Sequence, residues 1–254
     1  MGRAAGGRFL TMASLSIVIP AYNEEARLAP TLEAVVGFVR ERDFQQREVI
    51  VVDDGSRDGT AALVERFARD HPEVRLLRNP GNRGKGYTVR HGMLEAKADW
   101  VLYTDADLSS PIQEFDKLAA AAQKANARVA IGSRALDRSL VGVHQSAFRE
   151  LSGRAFNVIM RAITGLPFRD TQCGFKLFER SAAREIFSRQ TLDGFSFDVE
   201  DLVIAKTLAL KAIEVPVVWN NVEGTKVGML TGVQSFADLA GIRWRALSGR
   251  YSRQ

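Results

Sequence analysis

The chain holds 254 residues, 46% of them hydrophobic, and carries a net charge of +5, enough to bury a full core in one main domain. A lone Cys173 excludes an intramolecular disulfide and fits a reducing, cytosolic setting. No stretch approaches the ~18 to 20 consecutive apolar residues of a membrane-spanning helix, the apolar start is too short for a signal peptide, and so small a net charge argues by itself only for solubility or weak attraction to anions.

Residues 1–14 read as a disordered leader, within which Met12 is an alternative start. The runs at 16–20, closed by Pro20, and at 48–52, closed by Asp53 and Asp54, read as parallel strands buried on both faces. Further short apolar runs follow at 74–77, 100–103 and 129–131. Between them lie residues at helical spacing: Leu32, Val35, Val36 and Val39, then Leu63, Phe67 and Ala68, then Phe115, Leu118 and Ala122. This alternation predicts an α/β fold with a mostly parallel central sheet flanked by helices and joined by right-handed crossovers. Past Gly132 the alternation stops. A loop over 133–145, a helix over 146–164 and a strand at 215–218 are expected there, and this half is expected to carry a second substrate.

In an open parallel sheet, ligands sit beyond the carboxyl ends of the strands. The residues in those places are polar: Pro20-Ala21-Tyr22-Asn23-Glu24, Asp53-Asp54-Gly55-Ser56, Asn79-Pro80-Gly81-Asn82 and Asp105-Ala106-Asp107. Asp105 and Asp107, one residue apart, repel each other unless a cation intervenes. A hard divalent ion, Mg²⁺ or Mn²⁺, shared with phosphate oxygens answers that repulsion; a loop start at Asp105 and a helix cap at Asp107 is the other reading. Asp53 and Asp54 are suited to ribose or base donors, whereas Asp58 with Gly59 and Thr60 reads as a turn and helix cap. The stretch 81–86 has neither P-loop nor dinucleotide spacing. It reads as a glycine loop with one cation, Lys85, opening a helix whose N-terminus favours anions, or as a plain turn. Cys173, with no His beside it, reads as a packed small hydrophobe.

Taken in order, Pro20-Ala21-Tyr22-Asn23-Glu24, Asp53-Asp54-Gly55-Ser56, Asn82-Arg83-Gly84-Lys85-Gly86 and Asp105-Ala106-Asp107 closely resemble the family 2 glycosyltransferases, which have the GT-A fold. Asp170-Thr171-Gln172-Cys173-Gly174-Phe175-Lys176 and Phe197-Asp198-Val199-Glu200 resemble the branch that transfers glucose to dolichyl or polyprenyl phosphate. The resemblance implies a GT-A domain over 15–230. It implies that Pro20, Tyr22, Glu24 and Asp53, with Ala21 and Asp54, hold base and ribose, and that Lys85, Gly86 and Ala106 serve the nucleotide sugar. Asp105 and Asp107 would seat the metal-bound diphosphate. Arg134 would face the donor sugar or the acceptor phosphate, with Lys226 as a second acceptor cation or a solvated surface lysine. Asp170, Asp198 and Glu200 would serve sugar hydroxyls or acceptor positioning, a helix cap being the alternative for Asp198. Ser109 stands where mannose-transferring relatives often have a Gln, which leaves a third metal ligand unassigned. Residues 240–244 keep the last two residues of a QxxRW motif and lack its Gln, which argues against chain polymerisation.

The reaction so implied is an inverting transfer of glucose from UDP-glucose to a polyprenyl phosphate, an acceptor whose second pKa of ~6 leaves it already ionised. Rival readings are transfer of mannose from GDP-mannose, a non-lipid acceptor, and a non-catalytic nucleotide-sugar sensor. Positive charge gathers after Asp238 in Arg243, Arg245, Arg250 and Arg253, suited to nucleic acid or to an anionic membrane. The lipid acceptor favours the membrane, with no nucleic-acid partner and a place on its cytoplasmic face. In the predicted helix from Ser146, Phe148, Leu151, Phe156, Ile159, Met160 and Ile163 recur among Arg149, Arg154 and Arg161. Residues 231–254 likewise mix Val233, Phe236, Leu239, Trp244 and Leu247 with arginines. Either stretch fits an interfacial helix, or one packed on its own core.

Overall fold

The computed structural model describes residues 12–142, 158–220 and 230–252, with side chains in the last stretch from 237 onward. The elements run β1 (Ser14–Ala21), α1 (Leu28–Arg40), β2 (Gln46–Asp53), α2 (Thr60–Asp70), β3 (Val74–Arg78), α3 (Lys85–Glu95), β4 (Trp100–Thr104), α4 (Phe115–Ala125), β5 (Val129–Ser133), β6 (Phe175–Glu179), α5 (Arg180–Phe187), α6 (Phe197–Thr207), β7 (Ala212–Pro216) and α7 (Leu230–Leu247). β1 starts at Ser14, one residue inside the expected leader. The expected helix over 146–164 is described only from 158, and residues 158–164 are helical.

The strands form one sheet in the order β3-β2-β1-β4-β6-β5-β7. β1 pairs in parallel with β2 and β4, as do β2 with β3 and β5 with β7. β6 runs antiparallel to both neighbours, β4 and β5, and bridges the two parallel blocks. The strand expected at 215–218 is β7, set earlier in the chain at Ala212–Pro216. Pro216, which has no N–H to give a ladder, is its last residue.

Strand alternation sorts the core into two layers. Leu15, Ile17, Ile19, Val49, Val51 and Leu102 face Leu32, Val35 and Phe38 of α1 and Leu118 of α4. Val18, Ile50, Val52, Val101 and Tyr103 face Val89 and Met93 of α3, Ile186 of α5 and Leu239 and Ile242 of α7. Both faces of the parallel block are thus covered, which is why its strands read as unbroken apolar runs. Each fully buried Leu or Ile contributes about 1.5–3 kcal/mol. α7 therefore packs on the core by Leu239 and Ile242 while exposing Trp244 and Leu247. The Arg250 guanidinium lies 4.4 Å from the Trp244 ring centroid. Among the described residues no helix is long and apolar enough to cross a membrane.

Candidate active site

The carboxyl ends of β1, β2 and β4 and the start of α3 enclose a cleft of about 400 Å³. Of the residues singled out from sequence, Pro20, Ala21, Tyr22, Glu24, Asp54, Lys85, Asp105, Ala106 and Asp107 line it. Asn82, part of the polar rim read from sequence, lines it as well, and so do Arg27, Thr88 and Phe195, which were not anticipated. Arg27 could have been found as the cation one turn beyond Glu24; Phe195 lies in a loop that no local pattern ties to the sheet rim.

The turn after β1 is stitched to the turn after β2. Asn23 takes the left-handed conformation, φ 54, which Asn tolerates better than most residues. Its N–H donates to Ser56 Oγ at 2.9 Å, its Oδ1 accepts from Arg57 N at 2.8 Å, and Glu24 N donates to Thr60 Oγ1 at 2.8 Å. Asp58 accepts from Thr60 N at 3.0 Å and so makes the expected turn, but the N-cap position falls on Gly59, which has no side chain to cap the helix. Asp53 is buried and accepts from Ser56 N at 3.3 Å. Asp54 accepts from Asn79 Nδ2 and Arg83 N, both at 2.8 Å, and from Gly84 N at 2.9 Å. It lines the cleft while holding the glycine loop in place. The first amides of α3 are also engaged, because Gly86 N and Tyr87 N donate to the Asp193 carbonyl at 2.8 and 3.3 Å. That helix start is therefore an anchor for a neighbouring loop rather than an open anion seat, and what it offers the cleft is the Lys85 side chain.

Lys85 Nζ lies 2.8 Å from Asp105 Oδ1, which also accepts from the Tyr103 hydroxyl at 3.0 Å. Burial works against the Lys85 charge, but Asp105, Asp198 and Asp107 outweigh it and hold its pKa above the ordinary value. Burial and then Asp105 push the Tyr103 phenol well up, so it stays a proton donor to that carboxylate. Behind Asp105 stands Gly174: any Cβ there would collide with Asp105 Oδ2. Asp107 Oδ1 accepts from Ser109 N at 3.0 Å across a left-handed Leu108, φ 46, and Thr31 Oγ1 donates to the Ala106 carbonyl at 2.7 Å. These bonds fix both carboxylates on one rim. Arg27 pairs with Glu24 through its guanidinium. That bond raises the Arg27 pKa most, burial opposes, and Asp107 and Asp105 add to the rise.

Arg134, at the end of β5, is absent from the cleft lining and forms a two-pronged pair with the buried Asp170, Nε to Oδ2 at 2.7 Å and Nη2 to Oδ1 at 2.9 Å. Burial works against the Asp170 carboxylate, yet Arg134 holds its pKa below the usual range. Trp219 lies beneath the Arg134 guanidinium, 5.5 Å to the ring centroid. Asp198 makes a buried ion pair with Lys176 of β6 and feeds the field around Lys85. Glu200 is fully buried and does not reach the cleft. Its carboxylate accepts from Thr191 N at 2.9 Å, Thr191 Oγ1 at 2.6 Å, Leu192 N at 2.7 Å and the Tyr251 hydroxyl at 2.7 Å. Lys226 lies outside the described residues. Among the described residues no cluster of three or more His, Cys, Asp or Glu side chains could hold a metal by itself. Asp105 and Asp107 nonetheless give two hard oxygen donors on one rim, the set a Mg²⁺ or Mn²⁺ ion completes with waters and substrate phosphate.

Residues 16–187 match the model of glycosyl transferase family 2. A dolichyl-phosphate beta-glucosyltransferase of Trichomonas vaginalis is 35% identical over 235 residues, covering 89% of this chain and 70% of that protein. Proteins of the same name from Drosophila melanogaster and Homo sapiens are 37% and 34% identical, covering 84% and 93% of this chain and 69% and 77% of theirs. Among solved structures, glucosyl-3-phosphoglycerate synthase from Mycobacterium tuberculosis, in complex with Mn²⁺, UDP-glucose and phosphoglyceric acid, superposes with a TM-score of 0.66 at 18% identity over 91% of this chain and 80% of that one. Mannosyl-3-phosphoglycerate synthase from Rubrobacter xylanophilus gives 0.62 at 16% identity, over 94% and 74%. The arrangement of strands and helices is the GT-A fold.

Proposed function

The chain belongs to glycosyl transferase family 2, and on that footing we propose that it transfers glucose from UDP-glucose to the phosphate of a dolichyl-type polyprenol, inverting the anomeric carbon. The observation that carries this reading is the fixed rim of Lys85, Asp105 and Asp107 at the strand ends, in a chain 35% identical to a protein named for that reaction. The turn of Pro20, Ala21, Tyr22 and Glu24 is assigned to the base and ribose, with Asp53 behind it and Asp54 acting partly through the glycine loop that it holds. Lys85 meets the diphosphate and holds the Asp105 carboxylate in place. A divalent ion held by Asp107 and Asp105, Mg²⁺ or Mn²⁺, would supply neutralising charge for the departing diphosphate.

The acceptor phosphate is already ionised near neutral pH, so its oxygen attacks the anomeric carbon without a strong general base. The new C–O bond forms as the bond to UDP breaks on the opposite face, and an α-linked donor gives a β-linked lipid phosphate sugar. Arg134 is assigned to the acceptor phosphate. Its Nε and one Nη2 N–H are held by Asp170, which leaves further donors of the guanidinium fork for an anion. Lys226 is assigned the same acceptor role. A lipid acceptor is met at a membrane surface, so we place the protein peripherally on the cytoplasmic face, with Trp244, Leu247 and the C-terminal arginines toward the lipid.

The test is nucleotide release from a panel of UDP- and GDP-sugars, with and without a polyprenyl phosphate. UDP-glucose with lipid phosphate is the expected active pair; release from GDP-mannose instead would overturn the donor assignment, and equal release with a water-soluble acceptor would overturn the lipid. Asp107→Asn should lower divalent-dependent kcat on the order of 10²-fold. Undiminished turnover in that variant rejects the metal seat.

A further inference from the structure

We infer that Glu200 is a positioning residue for the donor cleft, acting with Tyr251 through the loop over residues 190–195, so that the C-terminal segment forms part of the donor site. The inference rests on the assignment of the cleft to a nucleotide sugar. A carboxylate with no exposure, on a helix whose Phe197, Val199 and Leu202 belong to the core, is costly unless each oxygen is satisfied. Here both are. Oε2 accepts the N–H groups of Thr191 and Leu192, and Oε1 accepts the hydroxyls of Thr191 and Tyr251. Nothing of the carboxylate is left to meet a sugar.

What it holds leads straight to the cleft. The carbonyl of Asp193, next in the chain, accepts from Gly86 N and Tyr87 N in the first turn of α3. Gln190 Nε2 closes the other side by donating to the carbonyls of Gly86 at 3.0 Å and Leu192 at 2.7 Å. The fit leaves no slack, because a Cβ on Gly86 would sit 2.5 Å from the Leu192 carbonyl oxygen. Two residues on, Phe195 lines the cleft with its ring centroid 6.0 Å from Lys85 Nζ. One carboxylate thus joins Tyr251, beyond the end of α7, to the loop that sets where Lys85 and Phe195 stand.

The pattern of donors separates positioning from catalysis. Thr191 and Leu192 offer amides that can only donate, while the two hydroxyls can donate or accept. A glutamine therefore satisfies all four hydrogen-bond partners with its oxygen toward the amides and its NH₂ toward the hydroxyls, and gives up only the charge that Arg245 Nη1 meets at 4.0 Å from Oε1. A residue needed for its charge or its proton cannot be replaced this way.

The experiment compares wild type, Glu200→Gln, Glu200→Met and Tyr251→Phe in the full chain by KM for UDP-glucose, KM for polyprenyl phosphate, UDP affinity by calorimetry, and hydrogen exchange of residues 86–87 and 191–192. Glu200→Gln should rescue donor KM to within about twofold of wild type. Glu200→Met should raise it on the order of tenfold, and Tyr251→Phe about threefold, from the bonds lost. Exchange at both segments should rise in the last two variants while the KM for lipid phosphate stays put. Loss of turnover in Glu200→Gln as deep as in Glu200→Met overturns the inference, as does unchanged exchange and donor KM in Glu200→Met. If Glu200→Met does not fold, Tyr251→Phe decides by the same readouts. A wild type that binds no UDP rejects the assignment of the cleft, whereas the exchange pattern still judges whether Glu200 holds the loop.

Discussion

Single side chains here are governed by partners far away in the chain. Cys173 is buried, and burial followed by the nearby Asp170 pushes its thiol up to about 12. At pH 8 the nucleophilic thiolate is therefore scarce. Iodoacetamide at that pH should leave the native protein unlabelled and alkylate it fully in denaturant, read by intact mass; rapid native labelling would contradict the packing. Asp105, Asp107 and Glu24 were legible as residues of the cleft because each follows an apolar strand at the rim where ligands gather. Glu200 was legible only as an acid without a task. Its task is set by Thr191, Leu192 and Tyr251, and nothing in a run of residues announces a partner 51 positions on. Arg27 escaped notice for the opposite reason, since an Arg three residues after a Glu ordinarily makes no more than a surface pair.

Whole elements were legible in proportion to how both of their faces are covered. β1, β2 and β4 lie between two apolar layers and read as short apolar runs. β6 was not read as a strand because Lys176 is its second residue, a lysine admitted to the interior by its buried pair with Asp198 of α6. β6 also carries a tight junction with the active rim: Gly174, just before it, gives its carbonyl to Asp105 N at 3.1 Å and leaves room for Asp105 Oδ2. Gly174→Ala should force the Asp105 carboxylate aside. Because a displacement of about 1 Å can cost on the order of 10²-fold in rate, kcat should fall at least tenfold while the melting temperature shifts by only a few degrees. Unaltered kcat would show that Asp105 has freedom the packing denies it.

For the molecule as a whole, the polar interior around α6 sets how stability responds to pH. Burial, then Asp198 and Glu200, raise the Asp201 pKa well above its usual value. A raised folded-state pKa contributes stability that is fully present below the unfolded value of ~3.9 and is lost as pH climbs toward the folded one. Asp201→Asn removes that loss, so its melting temperature should gain on wild type between pH 4 and pH 8; a difference that does not change with pH would rule out this origin. The antiparallel β6 has a consequence for how the chain is made. On the ribosome, β1 to β4 can assemble as soon as they emerge, but the outer side of β4 finds its partner only when β6 is released, and β5 has no neighbour in the sheet before then. Between those moments the nascent protein offers an open strand edge, a template for pairing with another chain. The span from β4 to β6 is thus the interval in which a chaperone has most to protect.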